Sequence, residues 1–185
     1  VEDDAEKAAR GDSDWWAVSV LANHPTSGVT YLVELERKRG ISMKRALGWI
    51  RTVLNGVERT FGEPVSRVLV ESNQAQRWLV QEAREEDIRF HRTSSSGSKE
   101  ERIISMSSRF EAGRVKIVDR GLEGQTEQQE ARKRASQKWQ SFADEWVSFP
   151  TGSHDDRLDA VEIAMRGVSG EEVSQSDFDM SDLPT

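Results

Sequence analysis

The sequence predicts an α/β fold in which one mixed β-sheet is flanked by helices on both faces. Apolar, β-branched runs of strand length occur at residues 14–22, 29–36, 67–71, 88–92 and 115–118. Apolar residues recur at helical spacing in 42–61, 74–86, 98–110, 126–146 and 155–168. Since two strands come first and strands then alternate with helices, a mixed sheet accounts for the order.

The individual elements follow from local signals. The turn-forming segment 24–28 between the first two strands predicts a β-hairpin. Ser42 is expected to cap the first helix, and Ser98 with Glu101 forms a capping-box pattern ahead of the third. Strand, helix and strand within residues 67–92 predict a parallel crossover. Residues 150–154 predict a turn before the last helix.

Length and composition predict one globular domain, residues 1–168, followed by an acidic segment, 169–185, expected to be disordered. No run of apolar residues approaches a membrane span, and we expect no membrane partner. The chain has no cysteine, so a metal ion here would need oxygen or imidazole ligands. This favours hard cations, Mg²⁺ or Mn²⁺.

The net charge of −7 is unevenly distributed. Residues 169–185 contain five acidic and no basic residues, which leaves a charge of −2 on the remainder. Residues 89–120 contain eight basic and four acidic residues. This local basic stretch keeps a nucleic-acid partner open despite the acidic total.

Acidic residues occur at two positions suited to chemistry. Glu71 ends a predicted strand, and active residues of open α/β sheets gather at the carboxyl ends of strands. Asp155, Asp156 and Asp159 open the last helix, where acids also interact favourably with the helix dipole. Such crowding is self-repelling unless a cation compensates it. The helical phase of Leu158 and Val161 puts Asp155 nearer the buried side than Asp156.

Five segments in order resemble the C-terminal nuclease domain of the large terminase subunit of tailed viruses. They are Asp3-Asp4-Ala5, Val68-Leu69-Val70-Glu71-Ser72-Asn73, Ser98-Lys99-Glu100-Glu101-Arg102-Ile103, Phe110-Glu111-Ala112-Gly113-Arg114-Val115 and His154-Asp155-Asp156-Arg157-Leu158-Asp159-Ala160. The resemblance extends to residue 168. Asp4 stands where the family has proline, so Asp3 and Asp4 can exchange roles.

This resemblance implies an RNase H-like fold and a DNA endonuclease that uses two Mg²⁺ or Mn²⁺ ions per site. The implied metal ligands are Asp3, Glu71, Asp155 and Asp156, with Asp3 bridging the ions. Lys99 would orient the nucleophilic water or contact the scissile phosphate. The implied DNA-backbone contacts are Lys99, Arg102, Arg109, Arg114 and Lys116.

The resemblance also implies partners and a location. The domain would cut concatemeric double-stranded DNA at the start and end of genome packaging, in the cytoplasm of the host cell. Its partners would be the ATPase domain of the same subunit, the small terminase subunit and the capsid portal. The sequence has no Gly-x-x-x-x-Gly-Lys-Ser/Thr element, so we expect a nuclease domain separated from its ATPase.

Two alternatives stay open at this point. One is a related RNase H-like nuclease, such as a junction resolvase or transposase core. The other is a catalytically silent module that docks DNA or the portal. Acids at a strand end, at a helix start or at a chain terminus are also common without any function, and an exposed lysine at a helix end is commonplace.

Overall fold

The computed structural model describes residues 15–71, 88–95, 97–118 and 126–169, with the backbone alone described for 126–136. These residues form a mixed α/β structure of five strands and four helices. The strands are β1 (Trp15–Asn23), β2 (Thr30–Arg39), β3 (Val68–Glu71), β4 (Phe90–Thr93) and β5 (Val115–Ile117). The helices are α1 (Met43–Phe61), α2 (Lys99–Glu111), α3 (Thr126–Ser148) and α4 (Asp156–Ser169). The predicted helix at 74–86, the loop at 121–125 and the acidic segment from residue 170 lie outside the described residues.

The predicted hairpin is confirmed. β1 and β2 pair antiparallel from Trp15 opposite Arg39 to Asn23 opposite Thr30, with an irregularity between Val20 and Leu21. The His24 backbone N–H donates to the Val29 carbonyl at 2.9 Å across the turn. β5 pairs parallel to β2, so the three-stranded sheet β1-β2-β5 is mixed.

The parallel pairing predicted for the crossover is also confirmed, since Val68 to Glu71 of β3 pair in parallel with Phe90 to Thr93 of β4. The expectation of one sheet was wrong for the described residues. β3 and β4 form a separate two-stranded sheet. Hydrophobic periodicity predicts strands and their faces but not which edges meet, and here a groove lies between β1 and β3.

Helix α1 buries the face that its spacing predicted, including Ala46, Trp49, Ile50 and Val57. It packs on one face of the strands, where Trp16 and Val18 of β1 join the same apolar cluster. Ser42 holds the N-cap position, but its side chain makes no capping hydrogen bond.

Helix α4 packs on the opposite face and carries the predicted buried residues Leu158, Val161 and Met165. Leu158 and Val161 are fully buried against side chains from β2, α2 and α3. The Ser19 hydroxyl of β1 donates to the Ala160 carbonyl at 2.7 Å. Because α4 also contacts β3, this helix bridges both sheets.

The capping box of α2 is confirmed and fixes the helix start. The Glu101 backbone N–H donates to Ser98 Oγ at 3.2 Å, and the Ser98 N–H donates to Glu101 Oε2 at 2.9 Å. Lys99 is the first residue of α2, so this cap determines where its side chain starts.

We expect Ser98→Ala to lower the free energy of unfolding by about 1 kcal/mol, because a backbone donor loses its partner. Urea denaturation measures the change. Ser108→Ala, on the exposed side of the same helix, is the matched control and should stay within about 0.5 kcal/mol of the parent chain. Equal losses in the two variants would contradict a capping role for Ser98.

Candidate active site

The start of α4 brings two carboxylates to one side of the helix. Asp155 precedes the first helical residue, and its carbonyl accepts the Asp159 backbone N–H at 3.0 Å. Residues four apart lie on the same helix face, so the side chains of Asp155 and Asp159 are neighbours.

Lys99 from the start of α2 lies between these carboxylates. Its Nζ is 2.7 Å from Asp155 Oδ2 and 2.7 Å from Asp159 Oδ2. The side chains of Lys99, Asp155 and Asp159 are 31%, 39% and 37% exposed, so solutes can reach the cluster from solvent. The structure therefore brings together two of the segments singled out in the sequence, with Lys99 and Asp159 60 positions apart.

Glu71, at the carboxyl end of β3, lies on the same side of the molecule. Arg166 of α4 reaches Glu71 Oε1 with an N–O distance of 3.8 Å and also forms two hydrogen bonds with the Glu162 carboxylate. Arg102 Nε lies 3.4 Å from Glu162 Oε2. Alternating charges thus connect α2, α4 and the end of β3.

Burial and neighbouring charges have opposing effects on the pKa values of Asp159 and Lys99. Burial raises the pKa of Asp159, and the negative charges of Asp155 and Glu71 add to this, which outweighs the lowering effect of Lys99. Burial lowers the pKa of Lys99, but hydrogen bonds and attraction from Asp155 and Asp159 raise it above its ordinary value. Lys99 thus stays an ammonium ion at neutral pH, between the carboxyl groups of Asp155 and Asp159.

Asp156 pairs with a different cation, although it lines the same groove as Glu71 and Asp159. Its Oδ2 lies 3.3 Å from an Arg37 guanidinium nitrogen of β2 and 4.0 Å from His154 Nδ1. Arg37 also binds the buried carboxylate of Glu145 at 2.8 Å. The two adjacent aspartates therefore have different partners. Asp155 pairs with Lys99, and Asp156 pairs with Arg37.

The residues predicted to contact DNA differ in their exposure to solvent. Arg114 and Lys116 are exposed, beside and on β5. Arg109 is half-buried and donates to the Ser169 hydroxyl. Arg102 is directed inward, where it donates to the Gly97 carbonyl at 3.2 Å and approaches Glu162. Arg114 and Lys116 are thus the best placed of these residues to meet a phosphate backbone.

Sequence reasoning placed Asp3 in the site, and Asp3 lies outside the described residues. It counted Asp159 among the acids of the helix start without making it a metal ligand, and it gave no role to Glu162 or Arg166. The four-residue spacings of Asp155 with Asp159 and of Glu162 with Arg166 were the available signals, because such pairs share a helix face.

We compared the donor set with the needs of a divalent metal ion. In residues 15–71, 88–95, 97–118 and 126–169, no three acidic or histidine side chains are arranged to hold a metal ion. The carboxylates of Asp155 and Asp159 nevertheless converge on one cationic atom. Their oxygens are the donors that Mg²⁺ prefers, and Mg²⁺ needs few protein carboxylates because it keeps several waters. The carboxylate oxygens of Asp155 and Asp159 are thus donors of the type that a hard cation prefers.

Neither protein-family models nor curated proteins gave a match to this chain. Among the described helices, none combines the length and apolar character needed to cross a membrane.

Replacing Lys99 tests whether the cluster binds a cation. We expect Lys99→Gln to lower the melting temperature in metal-free buffer, because two facing carboxylates lose the ammonium between them. Millimolar Mn²⁺ should then raise the melting temperature more in this variant than in the parent chain, since a divalent ion replaces the missing charge.

Lys44→Gln is the matched control, because Lys44 is an exposed lysine in the first turn of α1. Differential scanning fluorimetry with and without Mn²⁺ measures both effects. The same Mn²⁺ shift in Lys99→Gln and Lys44→Gln would contradict cation binding between Asp155 and Asp159.

Proposed function

We propose that this chain is a metal-dependent DNA endonuclease domain with an RNase H-like fold, of the kind found in the large terminase subunit of tailed viruses. The observation that carries the proposal is the meeting of Lys99 with Asp155 and Asp159 beside Glu71. These residues come from three segments that resemble the terminase pattern. A solvent-accessible group of carboxylates with one lysine suits phosphodiester hydrolysis better than a structural ion pair.

The proposed roles follow from position. Asp155, Asp159 and Glu71 would hold Mg²⁺ or Mn²⁺ together with Asp3. When bound, two such ions would activate a water and stabilise the leaving oxygen of the phosphodiester. Lys99 balances the carboxylates without metal, and beside a substrate it donates hydrogen bonds to the scissile phosphate. Arg166, which is itself paired with Glu162, lies 3.8 Å from Glu71 and would position its side chain.

The substrate we propose is double-stranded DNA, held through its backbone by Arg114 and Lys116 and cut at the start and end of genome packaging. This assigns the chain to a virus-encoded motor in the host cytoplasm. The ATPase domain of the same subunit, the small terminase subunit and the capsid portal are its proposed partners. Backbone contacts of this kind make binding sensitive to salt and insensitive to sequence.

Incubation of supercoiled plasmid with the protein and Mn²⁺ tests the activity. We expect nicked and linear products, no products in EDTA, and none with Glu71→Gln. Glu63→Gln, which changes an exposed glutamate outside the cluster, is the matched control and should cleave like the parent chain.

Three outcomes would contradict the proposal. Cleavage by the Glu71→Gln variant would show that the proposed site does not catalyse the reaction. Strong preference for four-way junctions over plasmid would assign the chain to the resolvases. DNA binding without cleavage at any metal concentration would favour the docking module.

A further inference from the structure

Gly167, near the end of α4, packs directly against Leu69 of β3. A Cβ atom built on Gly167 would overlap the Cδ1 methyl of Leu69, and it would lie 3.4 Å from Cγ and 3.9 Å from Cδ2 of the same side chain. The φ angle of Gly167 lies outside the left-handed region, so its backbone conformation is open to any residue. Glycine is therefore required at this position by the lack of space.

The face of β3 that meets α4 carries Leu69 and Glu71. Side chains alternate along a strand, so these two residues point to the same side. Leu69 contacts Gly167, and Glu71 Oε1 lies 3.8 Å from a guanidinium nitrogen of Arg166. The two valines of β3 pack instead in the apolar cluster of α1. Two successive residues of α4 thus determine how β3 lies on this helix.

In the described part of the chain, no ladder of backbone hydrogen bonds joins the two sheets. Asp159 belongs to α4, which is attached to the three-stranded sheet by the hydrogen bond of Ser19 to Ala160. Glu71 belongs to the other sheet. The separation of these two carboxylates therefore depends on the packing of β3 against the helices. Gly167 lies eight residues, or about 12 Å, along α4 from Asp159, so a shift of β3 at Gly167 changes that separation.

We propose that Gly167 is a positioning residue of the candidate active site. Because it has no side chain, Leu69 lies directly against α4, and this contact sets the separation of Glu71 from Asp159. All four residues line the same groove. The contact does not depend on any activity, whereas its effect on metal binding rests on the proposed nuclease function.

A methyl group at position 167 disturbs this contact however the overlap is relieved. Three carbons of Leu69 lie within 4 Å of the added atom. Either β3 moves away from α4 or the Leu69 side chain withdraws from it, and both changes loosen β3 on the helix. Leu69→Val removes one carbon where Gly167→Ala adds one. The two substitutions together conserve the volume of the contact, and volume-conserving changes are the best tolerated in packed regions.

The test measures Mn²⁺ binding by isothermal titration calorimetry in the parent chain, in Gly167→Ala, in Leu69→Val and in the double variant. Gly56→Ala is the matched control. Gly56 is a half-buried helical glycine of α1, and an added Cβ there has nothing within 4 Å beyond its own helical turn. Alanine is ordinarily the better helix former, so this control should keep or raise the melting temperature. Circular dichroism establishes that each variant is folded.

We expect Gly167→Ala to lower the melting temperature and to weaken Mn²⁺ binding about tenfold, as when a group that orients a metal ligand is disturbed. The double variant should recover most of the lost affinity, and Gly56→Ala should bind Mn²⁺ like the parent chain. Leu69→Val alone leaves a gap at the same contact and should also weaken binding. That variant decides the question if Gly167→Ala does not fold.

Equal Mn²⁺ affinity of Gly167→Ala and Gly56→Ala, with a parent chain that binds Mn²⁺, would overturn the positioning role and leave the proposed function intact. A loss in Gly167→Ala that Leu69→Val does not recover would also overturn it, because the effect would not pass through Leu69. A parent chain that neither binds Mn²⁺ nor cleaves DNA would overturn the proposed nuclease function and, with it, the role of Gly167 in metal binding.

Discussion

Asparagine at position 155 is expected to reduce Mn²⁺-dependent DNA cleavage by on the order of 100-fold or more, whereas asparagine at position 156 should reduce it only slightly. Loss of a partner that merely orients a metal ligand already lowers affinity or activity by about 10- to 100-fold. Asp155 shares the Lys99 ammonium with Asp159. Asp156 instead pairs with Arg37.

The comparison is well matched, because Asp155→Asn and Asp156→Asn remove the same charge from neighbouring positions at the same helix start. Initial rates of plasmid nicking measure the effect, and circular dichroism confirms that both variants fold. We expect Asp159→Asn to behave like Asp155→Asn. A greater loss at position 156 than at position 155 would place the reacting groups on the Arg37 side of α4 and would contradict the site described above.

Features governed by neighbours in sequence could be predicted from the sequence. The capping box of Ser98 and Glu101 lies within one helical turn, and both of its hydrogen bonds are present. The buried side of α4, with Leu158 and Val161, follows from helical spacing alone. The same spacing put Asp155 nearer the buried side than Asp156, and this was wrong, because their side chains are 39% and 30% exposed.

Features that depend on contacts between distant segments were harder to predict from the sequence. Periodicity could not reveal that β1 and β3 face each other across a groove, because edge pairing leaves no local pattern. The resemblance implied that Arg102 contacts DNA, but its side chain turns toward Glu162. The partner that determines this orientation is 60 positions away. Asp159 was counted among the acids of the helix start but not among the implied metal ligands, because its contact with Lys99 joins positions 60 apart.

Glu145→Ala is expected to destabilise the fold by about 3 to 5 kcal/mol, the loss typical of removing one partner from a buried ion pair. Glu145 is 6% exposed, and its carboxylate binds Arg37 at 2.8 Å and Arg157 at 2.6 Å. Each arginine side chain is only 13% exposed, so the variant leaves two poorly solvated guanidinium groups without this carboxylate. Urea denaturation measures the loss.

The neighbouring Asp144→Ala serves as control, because Asp144 is exposed on the same helix and should change stability by no more than about 0.5 kcal/mol. Glu145 also accepts the Arg157 backbone N–H at 2.9 Å and so holds the first turn of α4. Glu145→Gln retains an acceptor there and should lose less than Glu145→Ala. Since Asp155 precedes this turn, cleavage by folded Glu145→Ala should fall below that of Asp144→Ala. A loss of less than about 1 kcal/mol in Glu145→Ala would show that the arginines find other partners and that α4 does not depend on this carboxylate.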